Sequence, residues 1–138
     1  MGCGSINHNV VKLIDSQALT VAGGATPSYT SVWYDVSGWV NKTIQVDADI
    51  ASGSLDLNID LLVSPYDAWT MNNLASVTTE YYSTIAIKDA QTAVVLTRYD
   101  SGDVAELDTP MRTVAIKATV DGSGAAVSSL NVWLEGQS

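Results

Sequence analysis

The chain has 138 residues, of which 46% are hydrophobic, and its 15 acidic and 6 basic residues give a net charge of −9. This length fits one domain with its own core, and the hydrophobic content excludes an intrinsically disordered chain. No apolar stretch approaches the ~20 residues of a membrane helix, and the scattered basic residues cannot neutralise a run of phosphates. We therefore expect a soluble protein that binds neither membranes nor nucleic acids directly.

Residues 1–8 are predicted to form an N-terminal arm ahead of a single domain over residues 9–138. The opening Met-Gly-Cys-Gly-Ser lacks the basic segment followed by an apolar segment that marks a secretory signal. Cys3 is the only cysteine, so no disulfide can form within the chain and stability has to come from packing or assembly. Arms of this kind often fray, and in assembled shells they also lie on neighbouring subunits.

Nine short segments combine strand-forming residues, most with alternating polar and apolar positions, and turn residues separate them. They cover residues 9–14, 18–22, 30–36, 43–50, 55–63, 83–88, 93–98, 112–120 and 127–135. After the fifth segment, Asp67 is a candidate N-cap for a helical turn over residues 68–74. The pattern predicts an all-β fold, namely an antiparallel β-sandwich or jelly roll of about eight to nine strands.

The fourth and fifth strands are predicted to pair as a hairpin around residues 51–54, with an acidic outer face. In that register Asp49 lies opposite Asp56. A cation that bridges these two carboxylates is the only metal site that we consider, and the alternative is that both are solvated surface residues. Asp56-x-Asn58-x-Asp60 has the spacing of EF-hand ligands but lacks the glycine that follows them. A strand also spreads these residues along roughly 13 Å, too far to surround one ion.

A second hairpin is predicted between residues 113–120 and 127–135, closed by residues 121–124. The alternation in its last strand puts Trp133 on the outer face, and Leu62 falls on the polar side of its own strand. Two apolar side chains are therefore expected on an otherwise acidic exterior. Either a loop folds over them or they contact another subunit.

The sequence offers no catalytic constellation. His8 is the single histidine, which rules out a histidine-rich zinc site or a Ser-His-Asp triad with a histidine in the domain. No glycine-rich phosphate loop precedes a helix. Because the chain has 15 acidic residues, the presence of two carboxylates does not by itself indicate glycosidase chemistry. We therefore predict a non-enzymatic protein with no catalytic residue and no cofactor.

Aromatic residues could supply a platform for sugar stacking. They cluster along the sequence as Trp33, Tyr34 and Trp39, as Tyr66 and Trp69, and as Tyr81 and Tyr82. In a β-sandwich such rings are more often core or loop residues, so an exposed platform is the alternative interpretation.

Three segments carry a resemblance to a known family. Tyr34-Asp35-Val36-Ser37-Gly38-Trp39 leads into a strand, and Val63-Ser64-Pro65-Tyr66-Asp67-Ala68-Trp69 closes the next one. The third segment is the end of the chain, from Met111-Arg112-Thr113-Val114 through Asp121-Gly122-Ser123-Gly124 to Leu130-Asn131-Val132-Trp133-Leu134. Over residues 30–135 the chain resembles small β-sandwich virion proteins of tailed bacteriophages, although Tyr66 and Ala68 stand where that pattern has Asp and Gly.

The resemblance implies a structural component of a virion, of the capsid decoration (cement) protein type, made in the host cytoplasm. Such a protein sits on the outside of a capsid, often as a homotrimer, with the major capsid protein or another virion protein as its partner. We expect contacts at Ile6 and Val10 in the arm and first strand, and at Leu62 and Trp133 on the sheet surface. The alternatives are a carbohydrate-binding or lectin-like module, for example on a phage fibre, and a subunit of a filament or surface layer.

Overall fold

The computed structural model describes residues 6–21, 26–52, 56–91, 97–121 and 126–138. The elements in these residues are β1 His8–Thr20, β2 Ser28–Thr30, β3 Tyr34–Asp35, β4 Val40–Ser52, β5 Asp56–Ser64, α1 Ala68–Asn73, β6 Ser83–Gln91, β7 Thr97–Asp100, a 3₁₀ helix Ala105–Asp108, β8 Thr113–Asp121 and β9 Ala126–Gln137. The first two predicted strands are one strand, β1, which changes register three times against β9. None of the helices in this described part is long and apolar enough to cross a bilayer.

The strands form two antiparallel sheets. Sheet A has the order β1-β9-β4-β7, and sheet B has the order β2-β8-β5-β6, with β3 also paired to β8. The inner faces of both sheets supply the core, in which Ile44, Leu57, Ile116 and Leu134 are fully buried. The predicted antiparallel β-sandwich is confirmed.

Both predicted hairpins are wrong. β4 pairs with β7 and β9 in sheet A, whereas β5 pairs with β6 and β8 in sheet B. The chain therefore crosses between the sheets after β4, and it crosses again between β8 and β9. The alternation of polar and apolar residues shows which side chains of a strand face the core. It does not show whether two consecutive strands are hydrogen-bonded in one sheet or lie in opposite sheets across the core, because the alternation is the same in both cases.

The predicted arm is described from Ile6 onward. Asn7 and Ser138 exchange two backbone hydrogen bonds of 2.9 and 3.0 Å, and β1 begins at His8. Residues 7 and 8 thus extend sheet A, while residues 1–5, with Cys3 among them, lie outside the described residues.

Trp39 closes one end of the core and lies against the last residues of β9. A Cβ atom on Gly136 would come within 2.9 Å of the Trp39 ring, so the indole fits only because residue 136 has no side chain. Lys42 is 1% exposed beside it, and its Nζ donates a 3.1 Å hydrogen bond to the Trp39 carbonyl. Burial lowers the pKa of Lys42, against the nearby carboxylate of Asp108, which raises it.

The segment between β5 and β6 covers part of the outer face of sheet B. α1 places Met71, which is 1% exposed, in a small cluster with Trp33, Leu62 and Ala115. The predicted cap is confirmed, because the Asp67 carboxylate accepts a 2.6 Å hydrogen bond from the Thr70 amide.

Asn72 connects α1 to the segment between β2 and β3 through two hydrogen bonds. Its Oδ1 accepts a 2.8 Å hydrogen bond from the Trp33 amide, and its Nδ2 donates a 3.0 Å bond to the Trp33 carbonyl. One side-chain amide thereby satisfies both backbone groups of a buried residue between β2 and β3.

Candidate interaction surfaces

The outer face of sheet A is an open surface with Trp133 near its middle. Val132 and Leu134 are fully buried, so Trp133 between them points outward. The register places Lys12 on one side of Trp133 and Gln45 on the other. Lys12 Nζ lies 5.0 Å from the centre of the Trp133 ring, a cation–π contact that leaves the indole half-buried. Trp133 therefore lies on the outer face, as predicted.

Charged side chains surround this face. Arg98 Nη2 lies 2.7 Å from Glu135 Oε2, and Lys12 Nζ lies 2.8 Å from Asp15 Oδ1. Both ion pairs are exposed, so each contributes little to stability. The two ion pairs neutralise Lys12 and Arg98, the two cations that lie across sheet A in line with Trp133. Asp49 adds an exposed carboxylate farther along β4. A partner on this face would meet a mainly acidic surface.

Exposed apolar side chains gather at the end of sheet A where β1 begins and β9 ends. Ile6 is 67% exposed and Val10 is 61% exposed, in agreement with the exposure expected of them. Val40, 54% exposed, pairs with Gln137 at the same end and was not expected, because it precedes the segment of regular alternation. The positive φ of Asn41, +51°, follows it and interrupts the pattern that would have marked it as part of the strand.

Leu62 does not belong to this surface. It is 4% exposed, on the outer face of sheet B, under Met71 and Trp33. Its place on the polar side of β5 was read correctly from the alternation, but the exposure inferred from that place is wrong because α1 packs over it. Leu62 cannot contact another molecule unless α1 moves away.

The carboxylates predicted to share a cation lie in different sheets. Asp49 is paired with Ser129 in sheet A, whereas Asp56 is paired with Asp121 in sheet B, so the predicted pairing of Asp49 with Asp56 is wrong. The side chain of Asp56 lies outside the described residues. Among the described residues, no group of three or more His, Cys, Asp or Glu side chains could hold a metal ion.

A second charged region lies at the end of the sandwich where β3 and α1 begin. Asp35 accepts a 2.9 Å hydrogen bond from the Ser37 amide, and this bond lowers the pKa of Asp35. The bond from the Thr70 amide likewise lowers the pKa of Asp67, and the Arg112 guanidinium lowers both further. Carboxylates held ionised in this way organise turns and are poor proton donors at neutral pH.

A shallow cavity of about 440 Å³ opens beside this region. Its lining includes Gly38, Pro65, Met111 and Arg112. A second cavity, of about 360 Å³, lies over sheet B between Trp33 and Lys117. Both cavities are of a size that accepts small ligands. The second is bordered by Trp33 and Leu62, which also pack against Met71 of α1.

Trp69 is the most exposed large apolar side chain among the described residues, at 74%. It stands in the first turn of α1, three residues after Tyr66, which is 46% exposed. Tyr66 packs against Tyr81 with ring centres 5.5 Å apart and an angle of 57°, and Trp33 packs against Tyr82 at 49°. These pairs are tilted, so the aromatic groups expected from the sequence supply two exposed rings, Trp69 and Tyr66, and no coplanar pair among the ring contacts described.

No protein-family model matches the sequence, and no curated protein matches it. Solved structures match its fold. The VP2 subviral particle of infectious bursal disease virus superposes with a TM-score of 0.56 at 10% identity, over 94% of this chain and 32% of that chain. The chain therefore shares an antiparallel β-sandwich fold with part of that protein.

Two further structures of the same virus agree. Its T13 particle gives a TM-score of 0.57 at 9% identity, over 94% of this chain and 31% of that chain. The structure of its Gx strain gives 0.53 at 13% identity, over 96% and 32%. This chain spans about one third of the length of the chains it matches, and at such low identity the likeness concerns the fold alone.

Proposed function

We propose that this chain is a structural protein of a virion, of the decoration type, that binds the outside of a capsid as a homo-oligomer. The observation that carries the proposal is the match of 94% of the chain to part of a capsid protein that forms particles. A decoration protein needs an outward surface and contacts with the shell, and it needs no active site. The partner is the major capsid protein or another virion protein, and a trimer is the expected oligomer.

The contact surface in this proposal is the end of sheet A that carries Ile6, Val10 and Val40, continued by Trp133. Three exposed aliphatic side chains at one end of a sheet form the kind of apolar centre that protein interfaces use, and polar and charged residues beside them in the register, Gln137 and Glu135, form its rim. An indole that is already half-covered by Lys12 adds contact area with little loss of side-chain entropy.

Purified virus particles test whether this chain is part of a virion. Particles released by cells that carry this gene are purified on a density gradient, and peptides of this chain are quantified by mass spectrometry against the main shell protein. We expect a fixed ratio across the particle peak. Mild treatment with salt or denaturant then distinguishes decoration from shell building, because removal of a decoration protein leaves closed shells behind. Recovery of the chain only in the soluble fraction would refute a virion role.

The contact surface is tested with a matched pair of variants. Val10→Asp places a charge in the proposed contact surface, and Val32→Asp places the same charge on a valine of similar exposure, 57% against 61%, between β2 and β3. We expect Val10→Asp to lower the amount of chain bound per particle at least tenfold and Val32→Asp to leave it unchanged. Equal occupancy by the two variants would exclude this end of sheet A as the contact.

A carbohydrate-binding role is the second candidate, favoured by the exposure of Trp69. A single indole on a surface stacks on a sugar ring, and aromatic rings in such sites are left exposed in the free protein. Screening the chain on a glycan array tests it, with Trp69→Ala as the variant. Binding that is lost in the variant would favour this role over decoration alone, and no binding to any glycan would count against it.

A further inference from the structure

The two sheets have four edges, and three of them are blocked against pairing with another strand. From Lys12 onward β1 changes register three times, has a positive φ of +52° at Ser16 and carries the Lys12–Asp15 ion pair. β7 has four residues, two of which are Arg98 and Asp100. Bulges, charges and short length are the features by which edge strands avoid pairing with other chains.

The third blocked edge belongs to sheet B on the side of β2 and β3. These strands have three and two residues, and residues 31–33 interrupt them. A visiting strand would find no continuous row of backbone groups there.

The edge at β6 lacks these features only in its first half, because both register shifts against β5 and the charged residues Lys88 and Asp89 come after Ala86. β6 has nine residues, and residues Ser83 to Ala86 pair with β5 without a shift in register. Residues 83–87 read Ser-Thr-Ile-Ala-Ile and contain neither a charge nor a proline, and the first charged residue is Lys88. Among the described residues β6 pairs with β5 alone. The opposite edge of residues 83–86 therefore presents about 13 Å of regular backbone.

We propose that this edge of β6 pairs antiparallel with the same edge of a second copy of the chain, which joins two copies of sheet B into one continuous sheet. An antiparallel pair of identical strands has two-fold symmetry, so the edge is complementary to itself without any further requirement. The inference does not depend on a role in a virion.

Charge favours a second copy at this edge over other surfaces of the chain. Each copy carries a net charge of −9, and the open face of sheet A adds Asp49 and the ion-paired Glu135. Contact through that face would bring acidic surfaces together. Residues 83–87 are neutral, so two copies meet there with the least local repulsion.

The contact is small. Pairing of four or five residues on each chain buries less than the ~1,200 Å² of a standard protein interface, so we expect a dissociation constant of roughly 0.01–1 mM for the free dimer. Such an interface becomes effective when other contacts hold many copies at high local concentration.

Sedimentation equilibrium over a concentration series up to about 1 mM measures this association. The variant is Thr84→Lys with Ala86→Lys, which sets like charges across the proposed pair, since both side chains are exposed. The chain offers a matched control in Ala18→Lys with Thr20→Lys, because these are the same residue types, also two positions apart and exposed, on the edge strand β1. Both variants change the net charge equally.

We expect the wild type and the β1 variant to form the same dimer, and the β6 variant to raise its dissociation constant at least tenfold. A wild type that stays monomeric at about 1 mM, or an equal effect of the two variants, would overturn the proposal. Amide hydrogen exchange of the wild type gives a measurement that needs no variant. Protection at residues 83–87 that rises with protein concentration supports the pairing, and protection that does not change with concentration contradicts it.

Discussion

Replacing Asn72 by Ala removes the two hydrogen bonds that hold α1 to the backbone of Trp33. A hydrogen bond contributes about 0.5–1.5 kcal/mol net, so the pair accounts for roughly 1–3 kcal/mol of the free energy of unfolding. Alanine also favours a helix over asparagine by up to ~0.7 kcal/mol, which partly conceals the loss. The raw effect of the substitution therefore understates the contribution of the two bonds.

The neighbouring residue supplies the control. Asn73 is also an asparagine in α1, and its Nδ2 donates one exposed hydrogen bond to the Trp69 carbonyl. Asn73→Ala gives the same gain in helix propensity and loses only that bond, so we expect it to change stability by less than ~0.5 kcal/mol. The difference between the two variants isolates the contact with Trp33.

Urea titration followed by tryptophan fluorescence measures both variants, and amide hydrogen exchange at Trp33 adds a local measurement. We expect Asn72→Ala to be less stable than Asn73→Ala by about 1–3 kcal/mol, with faster exchange of the Trp33 amide only in Asn72→Ala. Equal stability of the two variants, with unchanged exchange at Trp33, would refute the view that this side chain anchors α1.

Three further predictions concern stability. Met71→Ala empties a site that is 1% exposed and should lower the free energy of unfolding by about 2–4 kcal/mol in urea titration. Gly136→Ala would bring a Cβ atom within 2.9 Å of the Trp39 ring and should cost about 1–3 kcal/mol in the same assay, whereas an unchanged midpoint would show that the ring moves freely. The bond from Thr70 lowers the pKa of Asp67 below its usual 3.8, so the stability that this carboxylate adds is complete above that value and is lost as the pH falls through the lowered pKa. Asp67→Asn, which caps without a charge, should therefore lose less thermal stability than the wild type between about pH 5 and pH 2.

Local sequence patterns predicted the strands well because each strand has one buried face. Val132 and Leu134 alternate with Trp133 and Glu135, and burial follows that alternation along β9. Asp67 before a helical turn was predicted for a similarly local reason, since its carboxylate bonds an amide only three residues away. The class of fold follows from many such signals together.

The candidate contact residues were only partly predictable. Alternation placed Trp133 outward, and its half-buried ring depends on Lys12 from the other end of the chain. Val40 escaped notice because the backbone turns irregularly at Asn41. Nothing in the sequence around Trp69 distinguishes an indole that is 74% exposed from one that closes a core.

The sequence by itself determined the all-β class, the positions of most strands, the side of each strand that faces the core and the acidic character of the surface. These properties depend on residues close together in the chain and on composition. Only the tertiary structure decided that β4 and β5 belong to different sheets, that α1 buries Leu62, and that β6 leaves an uncharged, regularly paired stretch at residues 83–86 on the edge of sheet B. Each of these depends on which distant segments pack together, and the free energy that selects such packing is shared by the whole core.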